Sequence, residues 1–575
     1  MKTILLLAAF ASFAGAQTTT PADAIYYHGN ILTGVDLESA HPQRVSAMAI
    51  QHGMIIAAGS DADVAKWKGP STQMVNLNGA FVMPGFNDAH LHLGDAGQIK
   101  LSVDLTGVKS LAEMQQLVKA AAKAAAPGAW LSGGGWDHTL WASKTLPAKA
   151  DLDAVTEGHP AFLVRVDGHI AVVNSAALSA AGITKITPDP QGGKIDRNAN
   201  GEATGIIRET AQSLIEKEIP PPPPALRRRG IELALADAVE HGITSAQDFS
   251  DKEDFQVYEQ LEHEGKLPIR ISEWLPFNAT VDQLKQYRSS HPQDDPMLHT
   301  TMLKGFMDGS LGSRTAALKA PYSDDPGNSG IPRYDQQKLN QMAIERAQAG
   351  FQLGFHAIGD RAVSMALDAF SVAQNAGPLR ADMQTMRVPG HRVIHATLTG
   401  PRNRIEHSQV VDPADFARYK QLGVIASMQP SHVLTDMNWA EQRLGPERAK
   451  YSYAWKSFLD AGVPLAFGTD YPVEPITPFR GLYASVTRMN EAGTMTYHSE
   501  QKITIWQAIY AYTQGSAYAE FAEQKKGKLA NGFYADFVVL DRDVTAVPPA
   551  EILKTKVLRT VISGKTVYVA NVKAR

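Results

Sequence analysis

The spacing of apolar residues divides the chain into two kinds of segment. Short strand-like runs with Gly and Asn at their turns occupy residues 24–80. The same character returns near the other end, in GFYADFVVLDRD (532–543) and VLRTVISGKTVYV (557–569). Two β-rich segments at opposite ends, flanking a different middle, predict one small β-sandwich domain built from both termini, residues 24–80 and 525–575.

Between these ends, strand-length apolar runs alternate with segments of helical spacing. Two of the helical patterns are LRRRGIELALADAVE (226–240) and QQKLNQMAIERAQ (336–348). The strand-like runs are FVMPGFND, GITSAQDF, IRISEWL, TMLKGFMDG, FQLGFHAIG, RIEHSQ, GVIASMQPS and VPLAFGTD. Eight strands alternating with helices predict an α/β fold, a (β/α)8 TIM-type barrel over residues 81–124 and 226–524.

The first two strand-like runs, at 81–88 and 242–249, are much farther apart than the others. We therefore expect an insertion after strand 1, over residues 125–225, that ends in the proline run 220–224. An insertion at the C-terminal end of a barrel strand lies over the active-site face. It is predicted to form a lid or substrate subdomain.

The first residues have the pattern of a secretory signal peptide. Lys2 precedes the apolar run ILLLAAFASF, and small residues follow at Ala14 and Ala16. This run is too short to span a bilayer. We expect residues 1–16 to be removed by cleavage after Ala16, which predicts a secreted, periplasmic protein.

Composition excludes several classes of protein. The 575 residues contain no cysteine, so neither a disulfide framework nor a lipid-modified cysteine is possible. A net charge of −4 at this length gives no electrostatic case for nucleic acid or an anionic membrane. An apolar content of 44% is ordinary for a soluble globular protein. The expected partner is a small-molecule substrate, and a homo-oligomer stays open.

Residues able to carry chemistry cluster at the C-terminal ends of the predicted barrel strands, where the active site of such a barrel lies. His90 and His92 are two positions apart, so their side chains point to one side of a strand and can converge on one ion. The full set contains four histidines, a lysine and an aspartate: His90, His92, Lys304, His356, His407 and Asp470. Such a nitrogen-rich set predicts a metal site suited to zinc.

Five segments carry a resemblance: PGFNDAHLHL, LKGFMDGSLGSRTAAL, FHAIGD, NRIEHSQ and FGTDYPVEP. They resemble the amidohydrolase superfamily, and within it family 3, the YtcJ-like branch that includes N-substituted formamide deformylase. The resemblance covers nearly all of the chain after the predicted signal peptide. It implies one or two divalent metal ions, with His90 and His92 on the more buried one and His356 and His407 on the second.

The resemblance also implies that Lys304 is carboxylated by CO2 and bridges the metals, and that Asp470 binds metal and acts as the base. A lysine ammonium has no lone pair to offer a metal. A carbamate can bridge ions about 3.5–4 Å apart. Alternatively, Lys304 is a plain lysine paired with Asp308 or Asp470.

Other residues have weaker assignments with open alternatives. His169, in VDGH of the insertion, either carries a proton to the substrate or is structural. Trp136 either lines a pocket or packs in a core. Arg314 either anchors a substrate carbonyl or carboxylate or forms an ion pair. Gln429 and His432, in MQPSH, contact either the substrate or their own loop.

The function implied is that of an exported metal-dependent hydrolase of non-peptide C–N bonds, in an amide, an N-substituted formamide or a carbamate. In this chemistry the metals activate water and polarise the carbonyl group. An esterase, a lactonase or a deaminase on the same scaffold is the alternative. A non-catalytic binding protein is a third, although every expected ligand position is filled.

Overall fold

A computed structural model of the protein describes residues 20–571, except residues 40, 166, 167, 169, 191, 192, 293 and 377–400. The predicted signal peptide and His169 therefore lie outside the described residues. Within the described residues, no helix combines the length and the apolar character needed to cross a membrane.

The structure contains strands throughout its length. In chain order they are β1 (Ala24–Tyr27), β2 (Asn30–Leu32), β3 (Arg44–Val45), β4 (Ala47–Gln51), β5 (Met54–Gly59), β6 (Gln73–Asn76), β7 (Phe81–Pro84), β8 (Phe86–Leu91), β9 (Val103–Asp104), β10 (Leu131–Trp136), β11 (Ala161–Arg165), β12 (Ile170–Val173), β13 (Gly193–Arg197), β14 (Ala203–Glu209), β15 (Ile243–Asp248), β16 (Arg270–Pro276), β17 (Leu298–Phe306), β18 (Gln352–Ala357), β19 (Arg404–His407), β20 (Ile425–Met428), β21 (Leu465–Phe467), β22 (Phe537–Leu540), β23 (Val557–Ile562) and β24 (Lys565–Val569).

Helices separate most of the later strands. They are α1 (Asp61–Ala65), α2 (Leu93–Leu101), α3 (Leu111–Ala124), α4 (Lys149–Asp153), α5 (Ser175–Ala180), α6 (Ser213–Glu216), α7 (Pro224–Glu240), α8 (Lys252–His263), α9 (Val281–Ser290), α10 (Gln336–Gln348), α11 (Asp360–Ala376), α12 (Asp415–Leu422), α13 (His432–Asp436), α14 (Ala440–Leu444), α15 (Pro446–Ala449), α16 (Trp455–Ala461), α17 (Pro478–Thr487), α18 (Ile505–Tyr510), α19 (Ser516–Ala519) and α20 (Pro549–Ile552).

Eight parallel strands form a nearly closed barrel in the order β8-β15-β16-β17-β18-β19-β20-β21. Each of the eight strand-like runs contributes one of them, so the predicted (β/α)8 fold is confirmed. Within the described residues no ladder joins β21 to β8. Backbone hydrogen bonds just beyond these strands connect them instead, from Asp470 N to His90 O (2.7 Å) and from His92 N to Tyr471 O (2.8 Å).

Two further sheets combine strands from both ends of the chain. Their orders are β5-β4-β1-β6 and β24-β23-β22-β7-β2-β3. They share one apolar core, in which the rings of Tyr26 and Phe537 meet edge to face with centroids 4.9 Å apart. The β-sandwich predicted from both termini is confirmed.

The run FVMPGFND, predicted as one strand, forms two. β7 pairs with β22 in the terminal sheet, whereas β8 begins the barrel. Gly85 lies between them, where a Cβ atom would be 2.2 Å from the Thr244 side chain, so only glycine fits this close approach. The terminal sheet therefore leads directly into the strand that carries His90.

The segment after α2 forms a separate sheet in the order β13-β14-β12-β11-β10-β9. This sheet begins at Val103, well before residue 125, where we expected the insertion to begin. α3 belongs to it as well, because Met114 and Val118 pack in the same core as Val103 and Leu131. β9 has only two residues, too few to show an alternating pattern.

A buried ion pair connects the barrel with the terminal sheets. Arg270 of β16 donates from Nε to Asp536 Oδ2 (2.6 Å) and from Nη2 to Asp536 Oδ1 (2.9 Å). Its guanidinium also lies over the Tyr534 ring, 3.8 Å from the centroid. Both charged groups are almost fully buried. The pair is held in place by its bidentate geometry.

Replacing Asp536 by Asn should destabilise the protein, because the Arg270 charge would stay buried without a counter-charge. We expect the free energy of unfolding to fall by about 3–5 kcal/mol, measured as a lower urea midpoint. Asp460→Asn is the control, since its pair with Lys456 is largely exposed. Equal midpoints for the two variants would contradict this account.

Candidate metal centre

Four imidazoles, one carboxylate and one amine meet at the C-terminal end of the barrel. His90 is the penultimate residue of β8, and His92 directly follows that strand. Lys304 lies on β17, His356 on β18, and His407 ends β19. Asp470 follows β21 directly. Strand register keeps three of these residues close in height along the barrel. Lys304 pairs with Gly354, two residues before His356, and His407 pairs with Ala357, one residue after it.

His90 is fully buried and has partners on both ring nitrogens. Its Nδ1 lies 2.9 Å from Glu406 Oε2, and its Nε2 lies 2.9 Å from Lys304 Nζ. Burial lowers the pKa of His90 to about 4. The ring is therefore neutral, with Nδ1–H donated to Glu406 and the lone pair of Nε2 directed into the site.

His92, His90 and Asp470 form a first group of candidate metal ligands. His92 Nδ1 donates to the carbonyl of Phe249 (2.8 Å), and its Nε2 lies 3.3 Å from Asp470 Oδ1. The Leu93 amide donates to Asp248 Oδ1 (2.8 Å), which ties this turn to β15. One ligand atom each from His90, His92 and Asp470 lies within 4.8 Å of the others.

A second group shares the same carboxylate and consists of His407, His432 and Asp470. His432 Nε2 is 3.5 Å from Asp470 Oδ2. The His407 and His432 rings are nearly parallel, with centroids 6.0 Å apart. The structure thus places His432, which we predicted to contact substrate, among the candidate ligands.

Gln429 positions His407. Its Oε1 accepts from His407 Nδ1 (2.8 Å), which leaves the lone pair of His407 on Nε2. Within the described part of the chain, Gln429 Nε2 is buried with no hydrogen-bond partner. We predicted a contact of Gln429 with the substrate or with its own loop, whereas the structure shows a contact with His407. Gln429 Nε2 is still available to a bound molecule.

His356 lies beside these groups without belonging to either. Its ring centroid is 4.5 Å from that of His407. Its Nε2 donates to the carbonyl of Gly309 (3.1 Å), so its lone pair is on Nδ1. Burial lowers the pKa of His356 to about 3, so this ring is also neutral.

Lys304 makes neither of the ion pairs considered for it. Asp308 instead accepts backbone hydrogen bonds from Ala317, Ile358 and Gly359. Lys304 Nζ contacts His90 Nε2 and lies 5.1 Å from the centroid of the Phe306 ring. Burial lowers the pKa of Lys304 to about 8.

A buried network below the site orients His90. Arg404 donates from Nε to Glu406 Oε1 (2.6 Å) and from Nη2 to the Ala89 carbonyl (2.7 Å). It also binds Gln247 Oε1 and lies over the Trp274 ring, 4.8 Å from the centroid. Burial would raise the pKa of Glu406, but Arg404 and His90 hold it at about 2.

The backbone is strained at two of the candidate ligands. His407 and Asp470 have φ angles of 71° and 59°, in the left-handed region that non-glycine residues rarely adopt. Successive residues of a regular strand point to opposite faces, yet both Glu406 and His407 reach the site. The left-handed φ of His407 goes together with this break in the alternation of side chains. Strain of this kind clusters at functional sites.

Two predicted substrate contacts lie elsewhere. Trp136 is fully buried in the core of the insertion and donates from Nε1 to the Leu163 carbonyl (2.9 Å), so the pocket-lining role is wrong. Arg314 pairs with Asp324, with 3.0 Å between Nη2 and Oδ2, rather than pointing at the site. His169, the predicted proton carrier, lies outside the described residues.

Sequence reasoning missed four residues of the supporting network, namely Gln247, Trp274, Arg404 and Glu406. Glu406 directly precedes His407 in RIEH. An acidic residue at the C-terminal end of a barrel strand could therefore have been predicted to lie near the site. Gln247 and Trp274 lie within apolar-looking runs. No local pattern marks them as neighbours of His90.

The side chains fit a divalent cation. His90, His92 and His407 each hold one ring nitrogen in a hydrogen bond and leave the other for a metal, as metal-ligating histidines do. His432 Nε2 is buried without a hydrogen-bond partner among the described residues. Burial opposes ionisation of Asp470, but the surrounding imidazoles lower its pKa well below the usual range. Imidazole lone pairs with an ionised carboxylate are the donor set that zinc prefers.

Comparison with known proteins agrees with this geometry. A family model described as "Amidohydrolase family" matches residues 73–568. The YtcJ protein of Bacillus subtilis (strain 168) is 33% identical over 95% of this chain and 99% of its own length. N-substituted formamide deformylase of Arthrobacter pascens is 25% identical over 96% of this chain and 99% of its own.

A solved structure extends this similarity to the fold. An uncharacterized metal-dependent hydrolase of Pyrococcus horikoshii superposes with a TM-score of 0.74 and is 30% identical. The match covers 92% of this chain and 99% of that one. The chain therefore belongs to the amidohydrolase family, and the protein is a metal-dependent hydrolase that acts on carbon–nitrogen bonds.

Proposed function

We propose that the protein uses zinc to hydrolyse a non-peptide C–N bond in an amide, an N-substituted formamide or a carbamate. The observation that carries the proposal is the sharing of one ionised carboxylate, Asp470, by two histidine groups at the barrel end. The chemistry named for the Arthrobacter relative, removal of a formyl group from a substituted nitrogen, supports a formamide as the first substrate to test.

A zinc ion bound here would lower the pKa of water and polarise the substrate carbonyl. The chain supplies the proton transfer. Asp470 is buried, ionised and within 3.3 Å of His92 Nε2 and 3.5 Å of His432 Nε2. It is placed to accept the proton of the attacking water and to pass it to the leaving nitrogen, as a base and then an acid.

The remaining residues hold this carboxylate and its histidines in position. Glu406 and Arg404 fix the tautomer of His90, and Gln429 fixes that of His407. Such outer hydrogen bonds set ring orientation and ligand basicity. The buried donor Gln429 Nε2 is available to a substrate oxygen.

We also propose that Lys304 carries a carbamate formed with CO2. An amine attacks CO2 only when it is unprotonated, and burial shifts Lys304 towards that form by lowering its pKa to about 8. The reaction joins Nζ to the CO2 carbon and releases one proton. The product is an anionic oxygen ligand at a position where an ammonium would repel a metal.

Export is a further proposal, supported by the pattern of residues 1–16. Cleavage after Ala16 would leave Gln17 as the N-terminus of a periplasmic protein. Protein recovered from the periplasm of a Gram-negative host should begin at Gln17 on N-terminal sequencing, and a variant lacking residues 2–16 should stay in the cytoplasm. An N-terminus at Met1 in the exported pool would contradict the proposal.

Asp470→Asn should lower kcat on N-formyl, N-acyl or carbamate substrates by a factor of roughly 10² to 10⁴, the usual contribution of a positioned base. Asn keeps the shape and one oxygen but cannot take up the proton. The screen compares the variant with wild type and with Asp460→Asn, a surface control. Metal content is measured in each, because Asp470 is also a candidate ligand. A variant that keeps its metal and works at nearly the wild-type rate would remove Asp470 as the base.

If the screen with wild type instead shows turnover of esters, lactones or amino-substituted rings alone, the alternative enzyme classes replace the C–N proposal. No turnover of any class by metal-replete protein would favour a binding protein.

Lys304→Ala should lose activity, and added formate or acetate should restore part of it by replacing the missing carboxylate. The double variant His90→Ala/His92→Ala is the control, because a small acid cannot replace two imidazoles. ¹³C NMR of wild type equilibrated with ¹³CO2 should show a carbamate signal that the Lys304→Ala variant lacks. Identical spectra for the two proteins would contradict the modification.

A further inference from the structure

A cleft beside the metal centre has a lining of which the proposed function uses Lys304 alone. It encloses about 790 Å³ and has Lys304 among its lining residues. Its apolar walls are aromatic: Phe249, Phe277, Phe306 and Tyr334. Lys304 connects this cleft with the candidate metal centre, because its Nζ lies 2.9 Å from His90 Nε2.

Arg333 forms part of the cleft wall, and its side chain is exposed. Its backbone amide donates to the carbonyl of Met307 (2.8 Å), just past the end of β17. This hydrogen bond anchors the backbone of Arg333 next to the barrel strand. The Arg333 guanidinium lies over the Phe306 ring, 5.6 Å from the centroid. Lys304 Nζ is 5.1 Å from the same centroid, so both side chains lie against one ring.

Arg333 forms no ion pair with a carboxylate among the described residues, whereas two other arginines do. Arg314 and Arg443 both pair with Asp324. The cleft contains one acid, Asp335, but its Oδ1 accepts from the amides of Gln337 (2.9 Å) and Lys338 (3.2 Å) at the start of α10.

The charge of the cleft is therefore positive. Lys338 also lines it and is exposed. Even without Lys304, which is proposed to carry a carbamate, two cations, Arg333 and Lys338, face a single carboxylate that already caps a helix. A guanidinium presents a planar fork that matches a carboxylate through two parallel hydrogen bonds. The aromatic walls suit an aryl or other large apolar group.

We propose that the substrate carries a carboxylate near its scissile C–N bond and an aromatic group, and that Arg333 binds this carboxylate. N-formyl and N-acyl derivatives of aromatic amino acids are the class that fits. Hydrolysis of such a substrate rests on the proposed function, whereas binding of its carboxylate by Arg333 does not. The Phe306 ring holds the guanidinium by a cation–π contact and separates it from His356, whose ring centroid is 5.4 Å from that of Phe306.

The test compares two substrates that differ only in the carboxylate, N-formylphenylalanine (racemic) and N-formylphenethylamine. Wild type should have the higher kcat/KM for N-formylphenylalanine. Arg333→Gln should reduce kcat/KM for that substrate roughly 10- to 100-fold, the value of a hydrogen-bonded charge, with little change for the amine derivative. Arg333→Lys, which keeps the charge but loses the fork, should fall between. The control is Arg229→Gln, an exposed arginine on α7.

Binding separates recognition from catalysis. Calorimetry with 3-phenylpropanoate and the neutral 3-phenylpropan-1-ol, neither of which can be hydrolysed, should show a preference for the carboxylate in wild type that Arg333→Gln loses. If this preference exists but neither formyl compound is hydrolysed, the proposed function is wrong and the recognition stands. If wild type and Arg333→Gln bind 3-phenylpropanoate equally, or the two formyl compounds react equally, the inference is overturned.

Discussion

The structure depends on how the first and last barrel strands are joined. No ladder within the described residues connects β8 with β21, and the carboxylate of Asp88 bridges them instead. Asp88 accepts from the amides of His90 (3.1 Å) and Thr469 (3.0 Å) and from the Thr469 hydroxyl (2.6 Å). Gly468 allows this approach, because a Cβ there would lie 2.5 Å from His90 N. The join places Asp470 against His90 and His92.

The same region concentrates buried charge, which is costly. Removing an ion from water costs several kcal/mol even after the protein relaxes, unless hydrogen bonds and counter-charges replace the solvent. Arg404 and Glu406 neutralise each other, and His90 is neutral. Asp470 is ionised among imidazoles, with no arginine or lysine within ion-pair distance among the described residues. A divalent cation would supply the missing positive charge, which explains why so many lone pairs converge here.

The strand order was readable from sequence because parallel barrel strands are buried on both faces and show as apolar runs. His90 and His92 were readable because their spacing is local. The contact between His90 and Glu406 was not, since it joins residues 316 positions apart. The role of Trp136 stayed open between a core and a pocket, because an aromatic residue after glycines looks the same in both. The split at Gly85 depends on Thr244, a neighbour only in the folded chain.

The central claim is that these side chains hold a catalytic metal. Anomalous diffraction at the zinc edge, from crystals of protein grown with zinc, tests it most directly. The account predicts a peak among His90, His92 and Asp470, about 2.0–2.2 Å from the ligand atoms, that disappears in a folded His90→Ala/His92→Ala variant. Zinc retained by that variant at wild-type stoichiometry, or a wild-type peak at another position only, would contradict it.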